Sequence, residues 1–181
     1  MSTSGSTSRT ARDCTPFNSA GWPALDELPS SDDLREFLKS LTAREVSFLV
    51  LGGYAVALHG YPRATADFDL WVDSSAINAD RVLAALRDFG FTPTEEAAQA
   101  LRTPGKVLRM GYPPTRIQLL TAPAGVEFGP CRARAVTKDL FGVAVPVIGL
   151  DDLIANKRAE GRPKDLIDAA ELERIRSRLE R

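Results

Sequence analysis

The chain has 181 residues, of which 44% are hydrophobic and 26% charged, with a formal net charge of −1. This length favours one globular domain that can bury a core without disulfides or structural zinc, and the near-neutral charge excludes a global basic field for nucleic acids. Cys14 and Cys131 lie far apart, no apolar run approaches the ~20 residues that span a bilayer, and the N-terminus lacks the apolar core of a signal peptide. We therefore expect a cytoplasmic protein that does not enter a membrane.

The predicted elements alternate between helices and strands. Residues 1–29 are rich in Ser, Thr, Gly and Pro and are predicted to be a flexible tail. Residues 30–181 are predicted to form a single domain, with a core at 45–148 and a C-terminal helical part at 149–181. In chain order, we predict a helix at 30–41, a strand at 47–51, a helix at 54–59, a strand at 67–72, a helix at 78–89, strands at 105–110, 116–120 and 143–148, and helices at 151–160 and from 164 to the end. This order predicts an α/β or α+β sheet with helices on its faces.

Two carboxylates mark the second predicted strand. Asp67 and Asp69 lie two residues apart, so both project from one face of the strand. Such a pair repels by roughly 4 kcal/mol at 4 Å and an effective dielectric near 20. A cation relieves this repulsion, and paired carboxylates suit Mg²⁺ bound together with substrate phosphates. Alone, the pair also fits a solvated strand edge, and Arg63 nearby would neutralise it as a plain salt bridge.

Paired glycines end the strand before it. Gly52 and Gly53 have no side chains, so their backbone N–H groups can approach a phosphate, and the helix that follows presents its N-terminus. Thirteen residues separate Gly53 from Asp67, which is room for a short helix and a return strand. A Gly-Gly turn is common on its own, but next to the carboxylates it indicates a site for a metal-bound nucleotide.

The glycines and carboxylates together carry a resemblance to a known family. Leu51-Gly52-Gly53 and Asp67-Phe68-Asp69 resemble the signature of the nucleotidyltransferase superfamily that includes DNA polymerase beta. Roughly residues 45 to 172 are similar to small bacterial nucleotidyltransferases related to the AbiEii toxins of type IV toxin–antitoxin systems. The similarity includes Lys157 and a Gly-Arg-Pro-Lys-Asp block at 161–165. It implies the nucleotidyltransferase fold, a mixed twisted sheet flanked by helices, with C-terminal helices.

The resemblance also implies roles for basic and hydroxyl side chains near the phosphates. Lys157 and Arg158 resemble the basic residues that the family places near the triphosphate, and we expect Lys157 to take part in catalysis. Arg63 and Thr65 either contact phosphates or cap the turn before Asp67.

Two acids on the last helix are further candidates. Asp165 and Asp168 lie three residues apart, on one side of that helix. Asp165 is a candidate catalytic acid that reaches the site. Alternatively, the two acids orient Lys157 and Arg162, or are simply favourable charges at a helix N-terminus.

One position departs from the family pattern. The family places a third carboxylate, which helps to activate the acceptor hydroxyl, where this chain has Gln118. The Gln118 amide can ligate a metal through its oxygen, but it adds no charge and cannot serve as a base. No acid lies between Arg109 and Glu127. Three hypotheses remain open: another acid such as Glu127, Asp165 or Asp168 takes over; the acceptor needs little deprotonation; or the protein binds nucleotide without transferring it.

The leading hypothesis is an enzyme that transfers an NMP from an NTP to an acceptor, with Mg²⁺ or Mn²⁺ on Asp67, Asp69 and Gln118. The acceptor would be RNA, such as a tRNA end, or a protein side chain. In a toxin–antitoxin setting the chain would be the toxin-like member, with a cognate antitoxin as partner. The alternative is a nucleotide-binding or interaction protein that has lost catalysis on the same fold.

Overall fold

The structure is a computed structural model that describes residues 31–111 and 116–181, and the predicted tail at 1–29 lies outside them. The described residues form seven helices and six strands. The helices are α1 (Ser31–Ala43), α2 (Gly52–Leu58), α3 (Ala76–Asp88), α4 (Glu95–Leu101), α5 (Phe128–Ala133), α6 (Leu150–Glu160) and α7 (Pro163–Leu179). The strands are β1 (Phe48–Val50), β2 (Asp67–Val72), β3 (Val107–Met110), β4 (Arg116–Leu120), β5 (Val136–Leu140) and β6 (Val143–Val147). No described helix has both the length and the apolar character needed to cross a bilayer.

The strands form one mixed sheet in the order β3-β4-β2-β1-β6-β5. β1 runs antiparallel to β2 and parallel to β6, and β2 runs parallel to β4. The edge strands β3 and β5 pair antiparallel with β4 and β6. Helices pack on this sheet, with α1 against β6, α2 against β2 and α4 against β3. The predicted α/β class with a mixed sheet flanked by helices is confirmed.

β2 has one fully apolar face and one face that changes character along its length. Phe68, on the apolar face, is buried and packs edge-on against Tyr54 of α2 at a ring distance of 4.9 Å. On the opposite face, Trp71 is buried against Phe128 of α5. Two and four residues before Trp71 lie the two aspartates, which are only partly buried. The aspartate face is therefore closed at the Trp71 end of β2 and opens toward Asp67.

The sequence patterns do not predict three of the described elements. β5 is an edge strand with four of its five residues exposed, so it shows no alternation of apolar and polar residues. α4 and α5 have seven and six residues, too few to display a full apolar helical stripe. α2 begins at Gly52, two residues before the predicted start, because β1 leads into the helix without a separate turn.

Candidate active site

The carboxylate pair faces two side chains of the neighbouring strand. β4 pairs with β2 so that Arg116 lies opposite Asp67 and Gln118 lies opposite Asp69. Paired positions of adjacent strands carry their side chains on the same face of the sheet. These four residues form a two-by-two group, which we call the β2–β4 patch. Its position confirms that Gln118 stands beside the carboxylate pair, on the strand next to it.

Asp67 is held by donors from β4. The Nε atom of Arg116 lies 2.7 Å from Oδ1 of Asp67, and the Gln118 side-chain amide lies next to the same carboxylate. Burial alone would raise the pKa of Asp67, but the Arg116 hydrogen bond, the Gln118 amide and the charges of Arg116 and Lys164 outweigh it, so the pKa lies below the usual aspartate range. Asp67 is therefore ionised at neutral pH.

Asp69 is in the opposite electrostatic situation. Burial, and after it the charge of Asp67, raise the pKa of Asp69 above its usual range. The charges of Lys157, Lys164 and Arg162 oppose the rise without cancelling it. The patch thus contains one carboxylate whose charge is balanced by Arg116 and one whose charge the neighbouring cations only partly compensate.

Gly52 provides the space that Asp69 occupies. The backbone φ of Gly52 is +63°, and a Cβ atom added there would lie 1.9 Å from Oδ2 of Asp69. The N–H of Leu51 donates a hydrogen bond of 2.9 Å to the backbone carbonyl of Asp69, which fixes the two segments side by side. A side chain at position 52 would therefore displace the carboxylate. The structure thus shows why position 52 is a glycine, which the sequence pattern does not reveal.

Gly53 has a similar relation to the loop before β2. A Cβ atom at position 53 would lie 2.6 Å from the side chain of Thr65. The hydroxyl of Thr65 in turn donates a 3.1 Å hydrogen bond to the backbone carbonyl of Asp67. Of the two roles expected for Thr65, the structure shows the turn-capping contact.

A group of five charged residues, three of them buried, joins the C-terminal helices to this loop; we call it the ion cluster. Lys157 Nζ lies 2.8 Å from Asp165 Oδ1 and 3.2 Å from Asp168 Oδ2. Arg63 donates two hydrogen bonds of 2.6 Å to Asp168, and Arg162 pairs with Asp165. Lys157, Asp165 and Asp168 are 4%, 0% and 1% exposed. The two acids therefore orient Lys157, Arg63 and Arg162, and Arg63 does not neutralise the carboxylate pair.

The ion cluster keeps both of its acids ionised. Burial alone would raise the pKa values of Asp165 and Asp168, but hydrogen bonds from Arg162 and Lys157 to the first, and from Arg63 and Lys157 to the second, lower them. Asp165 is thus enclosed by its basic partners and does not open onto the β2–β4 patch as a free carboxylate.

The remaining basic residues differ in whether they act on the β2–β4 patch. Arg158 is exposed and pairs with Glu173 of α7, and no contact of the described residues links it to the β2–β4 patch. Two basic residues that sequence reasoning did not assign to the site do act on it. Arg116 could have been found because it alternates with Gln118 along one strand. Lys164, exposed in the first turn of α7, lowers the pKa of both patch aspartates, and this depends on a tertiary approach that no local pattern encodes.

The donor set of the patch suits one hard cation. Two carboxylates and an amide oxygen are ligands that Mg²⁺ accepts when phosphates and water complete its shell. Among residues 31–111 and 116–181, no group of three or more His, Cys, Asp or Glu side chains is arranged for a metal ion. A cation at the patch would thus need further ligands from water and from the phosphates of a bound substrate.

The chain has limited similarity to known proteins. No protein-family model matches the chain, and no curated protein matches it. One solved structure that the chain resembles is that of a Thermotoga maritima protein described as a candidate nucleotidyltransferase. The identity is 16%, the match covers 81% of this chain and 90% of that chain, and the TM-score is 0.49.

Proposed function

We propose that this protein is a metal-dependent nucleotidyltransferase, which transfers an NMP from an NTP to a hydroxyl group on an acceptor. The observation that supports this best is the placement of Asp69. Its carboxylate lies beside Asp67, and nearby basic residues balance its negative charge only in part. The space that it occupies is free only because residue 52 is glycine. A fold that holds two carboxylates together at such cost has a use for a cation between them.

Asp67 and Asp69 would hold Mg²⁺ or Mn²⁺, which would balance the triphosphate charge and polarise the α-phosphate. Gln118 would ligate the metal through its amide oxygen, since the amide nitrogen is only a donor. Asp67 is ionised before any metal binds, and a bound cation would offset the burial and the Asp67 charge that raise the pKa of Asp69.

The basic residues would orient the triphosphate. Lys164 is exposed close to both carboxylates, so its ammonium group is free to contact phosphate oxygens. Lys157 is buried with Asp165 and Asp168, so we propose that it contributes a fixed positive field and does not reach the phosphates directly. No side chain of the described residues caps the N-terminus of α2, which leaves the backbone N–H groups at Gly53 and Tyr54 for phosphate oxygens.

In the proposed reaction, an acceptor hydroxyl attacks the α-phosphate in line and pyrophosphate leaves. Gln118 cannot accept the hydroxyl proton, so we propose that this proton passes to solvent water. We propose RNA, such as a tRNA end, or a protein side chain as the acceptor.

Transfer is tested with α-labelled NTPs and two acceptor pools, total RNA and total cell protein. Wild type should label one pool in the presence of Mg²⁺, and Asp67→Asn and Asp69→Asn should each abolish labelling without loss of the fold. Arg158→Gln is the matched control and should label normally, because among the described residues Arg158 pairs with Glu173 at the surface and with no member of the β2–β4 patch. Full activity in both aspartate variants would rule out this site.

The position of Gln118 supports a second candidate function, nucleotide binding without transfer. Gln118 stands opposite Asp69 in the register of β4 and β2, where a carboxylate would complete an acidic site. Gln118→Asp discriminates between the two functions. Transfer that appears only in this variant would identify the wild type as a binding protein.

For the biological setting, we propose the toxin-like member of a toxin–antitoxin pair, acting with a cognate antitoxin. The support is the resemblance of the Gly-Gly, Asp-x-Asp and Gly-Arg-Pro-Lys-Asp motifs to those of AbiEii-related nucleotidyltransferases. Induced expression of wild type should arrest growth of a bacterial host, whereas Asp67→Asn should not. Equal growth in both cultures would remove this proposal but leave the transfer activity untouched.

A further inference from the structure

Arg116 is the residue of the β2–β4 patch that an acidic metal site would not be expected to contain. Its Nε atom lies 2.7 Å from Asp67, and the two side chains are 31% and 22% exposed. The register places Arg116 and Gln118 on the same face as the carboxylate pair. β4 therefore supplies the patch with one positive charge and one neutral amide, and with no negative charge.

A second divalent cation would lack ligands at this patch. Asp165 and Asp168 are engaged in the ion cluster with Lys157, Arg63 and Arg162. In the described part of the chain no third acidic or imidazole side chain joins the carboxylate pair. Two divalent cations near each other need several anionic ligands to offset their mutual repulsion, and the guanidinium of Arg116 adds to that repulsion.

We infer that the patch holds a single divalent cation and that Arg116 supplies the second positive charge beside the triphosphate. This inference rests on the proposed nucleotidyltransferase function. In formal charges, two carboxylates, one guanidinium and one divalent cation sum to +1, as do three carboxylates with two divalent cations. Arg116 and Gln118 thus replace a third carboxylate and its metal without changing the net charge that faces the phosphates. Arg116 acts as a positioning residue on Asp67 and as a fixed charge.

The number of bound cations is measured by titrating Mn²⁺ and following free Mn²⁺ by electron paramagnetic resonance. The protein is mixed with an equimolar amount of an α,β-imido analogue of each NTP in turn, so that no transfer occurs. We expect wild type to bind one Mn²⁺ per protein–nucleotide complex. Gln118→Asp should bind two, with the spectral coupling of neighbouring Mn²⁺ ions, because it restores the missing anion.

The role of Arg116 is measured by the affinity of the same nucleotide analogue at saturating Mn²⁺. Arg116→Gln should weaken binding by about tenfold, the loss typical of one charge-assisted hydrogen bond, and Arg116→Lys should recover part of it. Arg81→Gln is the matched control, because Arg81 lies on α3, pairs with Glu45 at the surface, and its loss removes the same charge. This control should change affinity by less than about threefold. Thermal unfolding of each variant verifies that it is folded.

The outcomes separate this inference from the proposed function. Two Mn²⁺ ions in wild type, a single ion in Gln118→Asp, or equal affinities in Arg116→Gln and wild type would overturn the inference while nucleotide binding at the patch stands. No Mn²⁺ and no nucleotide bound by wild type would overturn both. One ion in wild type, two in Gln118→Asp and weaker binding in Arg116→Gln support the inference.

Discussion

At the residue scale, the site depends on the close approach of Asp69 to a glycine. The carboxylate of Asp69 lies where a Cβ atom of residue 52 would be, and Gly52 also has a positive φ that other residues adopt only with strain. A side chain at position 52 would therefore strain the backbone and also displace one of the charged groups of the patch.

Gly52→Ala is expected to lower the free energy of unfolding by at least about 3 kcal/mol, since left-handed strain and overpacking add. It should also abolish Mg²⁺-dependent nucleotide binding. Gly142→Ala is the control, because Gly142 has φ +77° but no atom within 4 Å of the added Cβ, so it should cost only about 1–2 kcal/mol and leave binding intact. Chemical denaturation and nucleotide titration give both quantities. Equal losses in the two variants would contradict the close approach at Gly52.

Asp69 should make the metal-free protein less stable as the pH rises. Its raised pKa means that the folded state binds this proton more tightly than the unfolded chain, so its contribution to stability falls from the ordinary aspartate pKa through the raised one. Asp69→Asn should therefore unfold at higher denaturant than wild type at neutral pH, and the difference should shrink below pH about 4.

The control for this pH dependence is Asp165→Asn, because the pKa of Asp165 is lowered. Asp165 contributes stability above the ordinary aspartate pKa and loses it as the pH falls through the folded one, so this variant should be less stable than wild type at neutral pH. A destabilised Asp69→Asn at neutral pH, in the absence of metal, would contradict the electrostatics described for the patch.

The sequence pattern predicted that Asp69 and Gly52 lie together, but it did not predict the contacts of the basic residues. Paired carboxylates two apart and paired glycines after a strand were sufficient to locate Asp69 and Gly52 in one region. The partner of Arg63 was not predictable, because Asp168 lies 105 residues later in the chain. The same limit applies to Lys164, whose approach to β2 depends on how α7 packs.

At the element scale, the ion cluster connects α6, α7 and the loop before β2. Lys157 comes from α6, both acids come from α7, and Arg63 comes from the loop. Lys157 and the two acids are buried and mutually paired, so removing one of them leaves charges in a poorly hydrated environment. The cluster therefore fixes the C-terminal helices relative to the carboxylate strand.

Lys157→Ala should lower the free energy of unfolding by about 3–5 kcal/mol, because it leaves two buried carboxylates with fewer partners. Arg158→Ala, at the next position of the same helix, removes an exposed cation paired with Glu173 and should cost less than about 0.5 kcal/mol. Urea denaturation of the two variants measures the difference. A small effect at position 157, with fold retained, would show that Lys157 is a solvent-facing residue and not part of a buried cluster.

Elements with strong patterns were predicted, and elements without them were not. α1, β2, α3 and α6 have apolar stripes, alternation or capping residues, and their predicted positions agree with the structure within about two residues. β5 is stabilised as a strand by its pairing with β6 and not by burial of its own side chains, so its sequence resembles a loop. β5 is a strand because it pairs with β6, and a periodicity of apolar residues cannot predict such pairing.

At the scale of the whole molecule, the mixed sheet brings together parts of the chain that are distant in sequence. The parallel pairing of β2 with β4 places residues 67 and 116 opposite each other, and the antiparallel pairing of β1 with β2 brings the glycines to Asp69. The C-terminal helices then add the ion cluster and Lys164 from the same side. The α/β class was predictable from alternating elements, but strand order and register were not.

The central claim is that Asp67 and Asp69 form a metal-dependent nucleotide site. The most direct measurement is a calorimetric titration with each of the four NTPs, with and without Mg²⁺, on wild type and on the Asp67→Asn/Asp69→Asn double variant. It requires no knowledge of the acceptor. We expect at least one NTP to bind wild type only with Mg²⁺ and not to bind the double variant. Absence of binding to every NTP in wild type, or equal binding in the double variant, would contradict the claim.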